Sequence, residues 1–139
     1  LGGIGTISGS ITGAGTVAPG MSIGMLSAGS AVLGGTLLAE VDGAGPGSAD
    51  VLAIAGALDI TAASLNLSVL SPLNDPAYVI ATYGSLSGAA FANVLNLPSG
   101  YVLDYAFNGN SIALVTIPEP ATIALAAIAA TLVVRRRRK

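Results

Sequence analysis

Short runs of alternating apolar and polar residues fill residues 1–117, and glycine, proline, asparagine and aspartate separate them. In residues 64–70, Leu65, Leu67 and Val69 would lie on one face of an extended strand, with polar residues on the other. This period of two predicts β-strands that each bury one face. The pattern predicts further strands at 37–42, 50–55, 57–61, 77–83, 103–108 and 111–117. The inward-facing side chains of two of them are predicted to be Leu37, Ala39, Val41, Leu103, Tyr105 and Phe107.

Glycine recurs with a looser period near the start of the chain. Gly-Thr-Ile stands at residues 5–7 and Gly-Thr-Val at 15–17, ten residues later. Short strands joined by glycine turns at such spacing are typical of a β-solenoid, in which stacked turns bury small and β-branched side chains. A β-sandwich is the main alternative, since regularly spaced strands also form one. Aromatic residues make up only 4% of the chain, which favours the narrower core of a solenoid.

Part of the body is similar to a known family. The segments TVAPGMSIGML at 16–26, SADVL at 48–52, YVI at 78–80 and GAAF at 88–91 resemble the C-terminal part of autotransporter-type β-helix passengers. The resemblance covers about residues 12–117. It implies a right-handed β-helix that is displayed outside the cell.

Composition excludes several kinds of chemistry. The chain of 139 residues has no Cys and no His, so it offers no disulfide, no thiolate nucleophile and no histidine base or metal ligand. Its five basic residues are all in the tail 135–139, while residues 1–134 hold seven acids and no base. A body without basic side chains cannot neutralise phosphates, so we expect no nucleic-acid partner.

An uncharged apolar run, ATIALAAIAATLVV, occupies residues 121–134. Its alanines and leucines favour a helix of about 21 Å, which is shorter than the hydrocarbon core of a membrane at roughly 30 Å. A buried core helix is the alternative, but the five adjacent cations favour a short transmembrane helix with its basic end in the cytoplasm. The predicted anchor residues are Ala121, Ile123, Leu125, Ile128, Leu132, Val133 and Val134. The predicted cytoplasmic tail is Arg135, Arg136, Arg137, Arg138 and Lys139.

Pro118, Glu119 and Pro120 directly precede this run. Prolines favour an extended, exposed break between the body and the helix. The order Pro-Glu-Pro, apolar helix and terminal arginine cluster in residues 118–139 resembles the PEP-CTERM sorting signal of Gram-negative bacteria. The resemblance implies an exosortase, a membrane cysteine protease, as the partner. This enzyme would cleave near Pro118–Pro120 and release or transfer the body to the exterior.

Four other motifs were weighed for chemistry. The segment 20–24 fits the nucleophile pattern G-x-S-x-G without a histidine, and 13–18 fits G-x-G-x-x-G/A without a following helix. Glu40 and Asp42 share a strand face about 7 Å apart, a separation found in inverting glycosidases, but solvated acids are the simpler interpretation. The loop 42–50 offers oxygen ligands for Ca²⁺ without a repeated Asp-Gly ladder. We therefore predict no catalytic residue, no metal and no cofactor.

The sequence thus predicts two parts, a β-solenoid at 1–117 and a sorting signal at 118–139 with a single transmembrane helix. The expected function is that of a non-enzymatic structural or adhesive protein, transiently anchored in the inner membrane and then exposed at the cell surface or secreted. An extracellular polysaccharide is a candidate partner. The alternative is the C-terminal fragment of a surface carbohydrate-active enzyme whose catalytic part lies upstream. Because Leu1 is neither an initiator Met nor part of a signal peptide, we expect the chain to be a fragment.

Overall fold

The computed structural model describes residues 1–46 and 48–117, and these residues form two β-sheets. The strands are β1 (Gly2–Gly3), β2 (Gly5–Gly13), β3 (Thr16–Pro19), β4 (Met25–Leu33), β5 (Thr36–Asp42), β6 (Ser48–Ala49), β7 (Val51–Ile54), β8 (Ala57–Asp59), β9 (Ser64–Ser71), β10 (Ala77–Thr82), β11 (Ser85–Ser87), β12 (Asn93–Leu95), β13 (Tyr101–Phe107) and β14 (Ser111–Thr116). No helix occurs within these two ranges.

Parallel pairing builds the six-stranded sheet, in the order β1-β3-β5-β9-β12. Thr16 pairs with Thr36, which pairs with Ser64, which in turn pairs with Asn93. Strand β6 is the exception, since it pairs antiparallel with the end of β5. Residues at equivalent positions of successive strands therefore lie side by side, although they are far apart in the chain.

The eight-stranded sheet combines parallel and antiparallel pairs. Strand β4 pairs in parallel with β2, β7 and β8. Strand β8 also pairs in parallel with β11, and β7 with β10. Strand β14 then pairs antiparallel with both β10 and β13. The β13–β14 turn contains Asn108 and Gly109, both with positive φ, as tight hairpin turns require.

This architecture corrects the predicted fold class. A right-handed β-solenoid through residues 1–117 is wrong, because the last part of the body, from β13 to β14, folds back as an antiparallel hairpin instead of adding another parallel layer. The physical reason is the tight turn at Asn108-Gly109, which reverses the chain within one sheet. The predicted C-terminal helix at 121–134 lies outside the described residues.

Both sheets contribute to one hydrophobic core. Leu37 and Leu65 from the six-stranded sheet, and Leu52 and Ile80 from the eight-stranded sheet, are fully buried in the same cluster. The aromatic side chains are unevenly distributed, because all six follow residue 77 in the chain. Those packed in or against the core are Tyr78, Tyr83, Phe91, Tyr101 and Tyr105. The part of the core near β10 to β14 is therefore built from large rings, whereas the part near β1 to β5 is aliphatic.

Candidate functional site

The end of β14 is where the folded body leads into the predicted sorting segment. Strand β14 lies between β10 and β13, so hydrogen bonds reach its last residues from both sides. The amide of Thr116 donates to the carbonyl of Pro76 over 3.1 Å, and the amide of Ile117 donates to the carbonyl of Gly100 over 2.9 Å. The next residue, Pro118, has no amide hydrogen and cannot continue this ladder. The last regular hydrogen bonds of the body therefore end one residue before the Pro-Glu-Pro sequence.

Two buried tyrosines hold the loop that receives Thr116. The hydroxyl of Tyr78 accepts hydrogen bonds from the amides of Asn74 and Asp75, over 3.1 and 3.0 Å. The hydroxyl of Tyr101 donates to the carbonyl of Asp75 over 2.7 Å, and the two rings pack with centroids 5.9 Å apart. Burial is the main cause that raises the pKa of Tyr101, and the neighbouring Tyr78 raises it further. These contacts connect the loop around Asp75 and Pro76 to the core beside the end of β14.

The predicted sorting residues Pro118, Glu119 and Pro120, the anchor residues at 121–134 and the basic tail 135–139 lie outside the described residues. Ile117, the last described residue, is 44% exposed. Within residues 1–46 and 48–117, no helix is long and apolar enough to cross a membrane.

A buried carboxylate, which the sequence did not reveal, lies elsewhere in the body. Asp50 is 1% exposed, and its two oxygens accept hydrogen bonds from the amides of Gly24 (3.0 Å) and Glu40 (2.9 Å). Burial raises the pKa of Asp50, against the opposing effect of these two hydrogen bonds. A Cβ on Gly20 would lie 2.3 Å from Oδ1 of Asp50, so the turn needs glycine there. Asp50 therefore joins the turn before β4 to strand β5.

Two of the acids considered for catalysis or Ca²⁺ binding, Asp42 and Asp50, accept hydrogen bonds within the fold. Asp42 accepts hydrogen bonds from the amide of Ala44 and the hydroxyl of Ser71, and these bonds lower its pKa. Asp50 is occupied by two backbone amides, as described above. No group of three or more acidic, His or Cys side chains that could hold a metal ion occurs in the described part of the chain. The visible contacts of Asp42 and Asp50 are those of structural carboxylates.

The two glycine motifs form turns. Ser22, in the G-x-S-x-G segment, is exposed and has a φ of +100°, a strained conformation for serine. Two residues later, the amide of Gly24 donates a hydrogen bond to the carboxylate of Asp50, so the contact of this turn with Asp50 is made by its backbone. The segment 13–18 begins at the last residue of β2 and continues into β3, so a strand and not a helix follows its first two glycines. It therefore has no helix N-terminus with which to bind phosphate.

Comparison with known proteins identifies the C-terminal segment. Residues 116–139 match the PEP-CTERM protein-sorting motif, so the chain carries a C-terminal sorting signal of the kind recognised by exosortases. The match begins at Thr116, two residues before the boundary predicted from the sequence. No curated protein and no solved structure matches the chain, and the resemblance of residues 12–117 to autotransporter passengers is not confirmed.

Proposed function

We propose that this chain is an exosortase substrate, a β-structured body that is exported and then separated from its C-terminal signal near Pro118–Pro120. The observation that carries the proposal is the position of the sorting motif. It begins at Thr116, the residue with which the last strand of the body ends. Proline disfavours a helix in the residue before it, so the Pro-Glu-Pro sequence favours the extended backbone that a protease can bind.

The apolar segment and the basic tail have separate roles in this proposal. Residues 121–134 hold the substrate in the inner membrane until it is processed. The cluster Arg135–Lys139 stays on the cytoplasmic side, because basic residues that flank an apolar segment resist translocation. The body then faces away from the cytoplasm, towards the cell surface or the exterior.

We further propose that the processed body is a structural or adhesive protein and not an enzyme. Residues 1–117 contain no Lys, Arg, His or Cys, and the carboxylates of Asp42 and Asp50 bind backbone amides or a serine hydroxyl. The exposed strand positions carry mostly hydroxyl and small side chains, such as Thr6, Ser10 and Ala57. A neutral extracellular polysaccharide is a candidate partner for such a surface.

The test is to replace Pro118, Glu119 and Pro120 together by alanine in cells that contain an exosortase. The wild-type chain should give a shortened product outside the inner membrane, and intact-mass analysis should place its new C-terminus near residues 118–120. The variant should remain at full length in the membrane fraction. Pro46→Ala, at an exposed proline between β5 and β6, is the matched control and should be processed normally. Normal processing of the triple variant would refute the proposal.

A further inference from the structure

The outer face of the eight-stranded sheet is apolar next to the end of β14. Val115 pairs with Ala77 of β10 and with Val102 of β13, so the three side chains lie on one face, while the buried residues beside them face the core. Val79 is the next outward residue of β10, and Ile117 follows Val115 by two positions. We call these five residues the exit face. Val102 and Ile117 are 41% and 44% exposed, and the other three are half-buried.

Farther from the end of β14, the outward positions are polar or small. The next outward residue of β13 after Val102 is Asp104, which pairs with Ala113. In β10 it is Thr82, which pairs with Ala53 of β7. The exit face is therefore an apolar patch at one end of the sheet, and the sheet becomes more polar away from it.

The exit face lies where the chain leaves the body towards the apolar segment. The amide of Ile117 donates to the carbonyl of Gly100 over 2.9 Å, and residues 118–120 alone separate Ile117 from the apolar run at 121–134. A fully extended chain spans at most about 3.6 Å per residue, so Ala121 begins no more than about 14 Å from Ile117. The polar headgroup layer on each side of a bilayer is itself roughly 5–8 Å thick. With 121–134 in the membrane, the end of β14 has to lie at the membrane surface.

The shortness of the apolar run strengthens this constraint. As a helix, its 14 residues would span about 21 Å, against a hydrocarbon core of roughly 30 Å. A span that is too short thins the bilayer locally or draws its flanking residues towards the interface. Both responses bring the end of β14 closer to lipid.

We propose that the exit face rests on the lipid surface of the inner membrane for as long as the body is joined to residues 121–134. The inference rests on the membrane anchoring put forward under the proposed function. It adds that the body itself contacts lipid, through Val102 and Ile117 above all. The contact holds the Pro-Glu-Pro sequence at the level of the headgroups, where a membrane protease can reach it.

The charges around the exit face favour a neutral lipid surface. Residues 1–117 have no Lys or Arg, so anionic headgroups find no basic side chain on the body. Asp104 borders the exit face, and Asp75 lies beside Pro76, which accepts the hydrogen bond from Thr116. Burial of apolar surface is therefore the attraction that remains, and zwitterionic lipid suits it best.

Fluorescence quenching of the full chain in phosphatidylcholine vesicles tests the contact, because the chain has no native cysteine and accepts a single label. A fluorophore on Val102→Cys should be quenched at least twofold by lipids with a nitroxide headgroup. Val32→Cys is the matched control, since Val32 is an outward valine of the same sheet and is 52% exposed. It lies near the far end of β4, four strands from β13, and should be quenched little. Ala127→Cys, in the apolar run, reports insertion through nitroxides on the acyl chains.

A longer connection separates lipid contact from mere proximity. Twelve Gly and Ser residues inserted between Ile117 and Pro118 form a flexible linker with a length of roughly 20 Å. A body that binds lipid should keep its quenching at Val102 within twofold of the original value. In this long-linker chain, Ile117→Asp should lower the quenching at least threefold, because a carboxylate on the exit face opposes its burial. Val32→Asp is the control and should leave the quenching unchanged.

The outcomes distinguish the contact from the anchoring. Quenching at Ala127 without quenching at Val102 would overturn the lipid contact and leave the anchoring intact. An Ala127 probe that is not quenched would refute the anchoring and the contact together. Quenching at Val102 that the long linker abolishes would show proximity alone and overturn the proposal. So would a Val102 probe that responds only when an exosortase is added to the vesicles, because the exit face would then bind the protease.

Discussion

The carboxylate of Asp50 accepts a hydrogen bond from the backbone amide of Gly24, 26 positions earlier in the chain, over 3.0 Å. Its other oxygen accepts one from the amide of Glu40, so a single buried side chain joins the turn before β4 to strand β5 of the six-stranded sheet. Neither amide could be satisfied there by an apolar residue.

Replacing Asp50 by Asn should destabilise the body by about 1–3 kcal/mol, because the new amide group can accept only one of the two hydrogen bonds. Urea unfolding of the full chain in mild detergent measures this. Asp59→Asn is the matched control, since Asp59 accepts from the amide of Thr61 in an exposed turn that asparagine also forms. We expect the control to change the free energy of unfolding by less than about 0.5 kcal/mol. Equal effects of the two variants would contradict this role of Asp50.

The free energy of unfolding should depend on pH in a way that reveals the raised pKa of Asp50. Because burial raises the pKa of Asp50 above 3.8 in the folded state, the folded protein holds this proton more tightly than the unfolded chain does. The contribution of Asp50 to stability is therefore greatest below pH 3.8, falls as the pH rises through the raised pKa, and is level above it. Subtracting the Asp50→Asn curve isolates this contribution. The excess stability of the wild type over the variant should be larger at pH 3 than at pH 7, and the reverse order would show that the pKa is lowered.

Tyr78 is expected to stabilise the loop beside the sorting segment. Tyr78→Phe removes the acceptor of two amides, those of Asn74 and Asp75, at a fully buried position, so we expect a loss of about 1–3 kcal/mol. Tyr101→Phe removes one hydrogen bond, to the carbonyl of Asp75, and should cost less, about 1 kcal/mol. Thermal unfolding of both variants makes the comparison. A larger loss in Tyr101→Phe would contradict this ranking, because both variants keep their rings and differ only in the hydrogen bonds that they lose.

The alternation of side chains predicted much of the core. Leu37, Ala39 and Val41 were expected to face inward, and all three are fully buried. The same rule failed at Val69, which is 42% exposed. Val69 pairs in register with the buried Val41 and so keeps the predicted face, but the strand bulges directly after it, and Ser71 instead of Leu70 pairs with Asp42. A pattern of period two shows neither this bulge nor how far neighbouring strands cover the end of β9.

The alternation of apolar and polar residues predicted neither the direction of strand pairing nor the burial of Asp50. Alternation is the same in parallel and antiparallel strands, so it did not separate the parallel pair Thr16 and Thr36 from the antiparallel pair Tyr78 and Leu114. Asp50 begins the strand predicted at 50–55, and nothing in the pattern marks it as buried, because its partners Gly24 and Glu40 lie 26 and 10 positions away in the chain. The sorting signal was predictable for the opposite reason. Its parts are adjacent in the sequence and need no tertiary structure to be recognised.

Processing should tolerate added length between the body and the signal but not a shortened strand. Inserting Gly-Ser-Gly-Ser between Ile117 and Pro118 leaves the amides of Thr116 and Ile117 on their acceptors, so the yield of processed product should change less than twofold. The same insertion after Gly109, in the β13–β14 turn, controls for the added residues.

Deleting residues 116–117 should have the opposite effect. It brings Pro118 next to Val115, where Thr116 donates to Pro76, and proline has no hydrogen to donate. The end of β14 then loses its hydrogen bond to the carbonyl of Pro76, Glu119 takes the position of Ile117 opposite Gly100, and the sequence to be cleaved is drawn against the sheet. We expect the processed fraction, measured by immunoblot against the full-length chain, to fall at least fivefold. If the insertion abolished processing and the deletion did not, the signal would need rigid attachment to the body, and the independence of the two parts would be disproved.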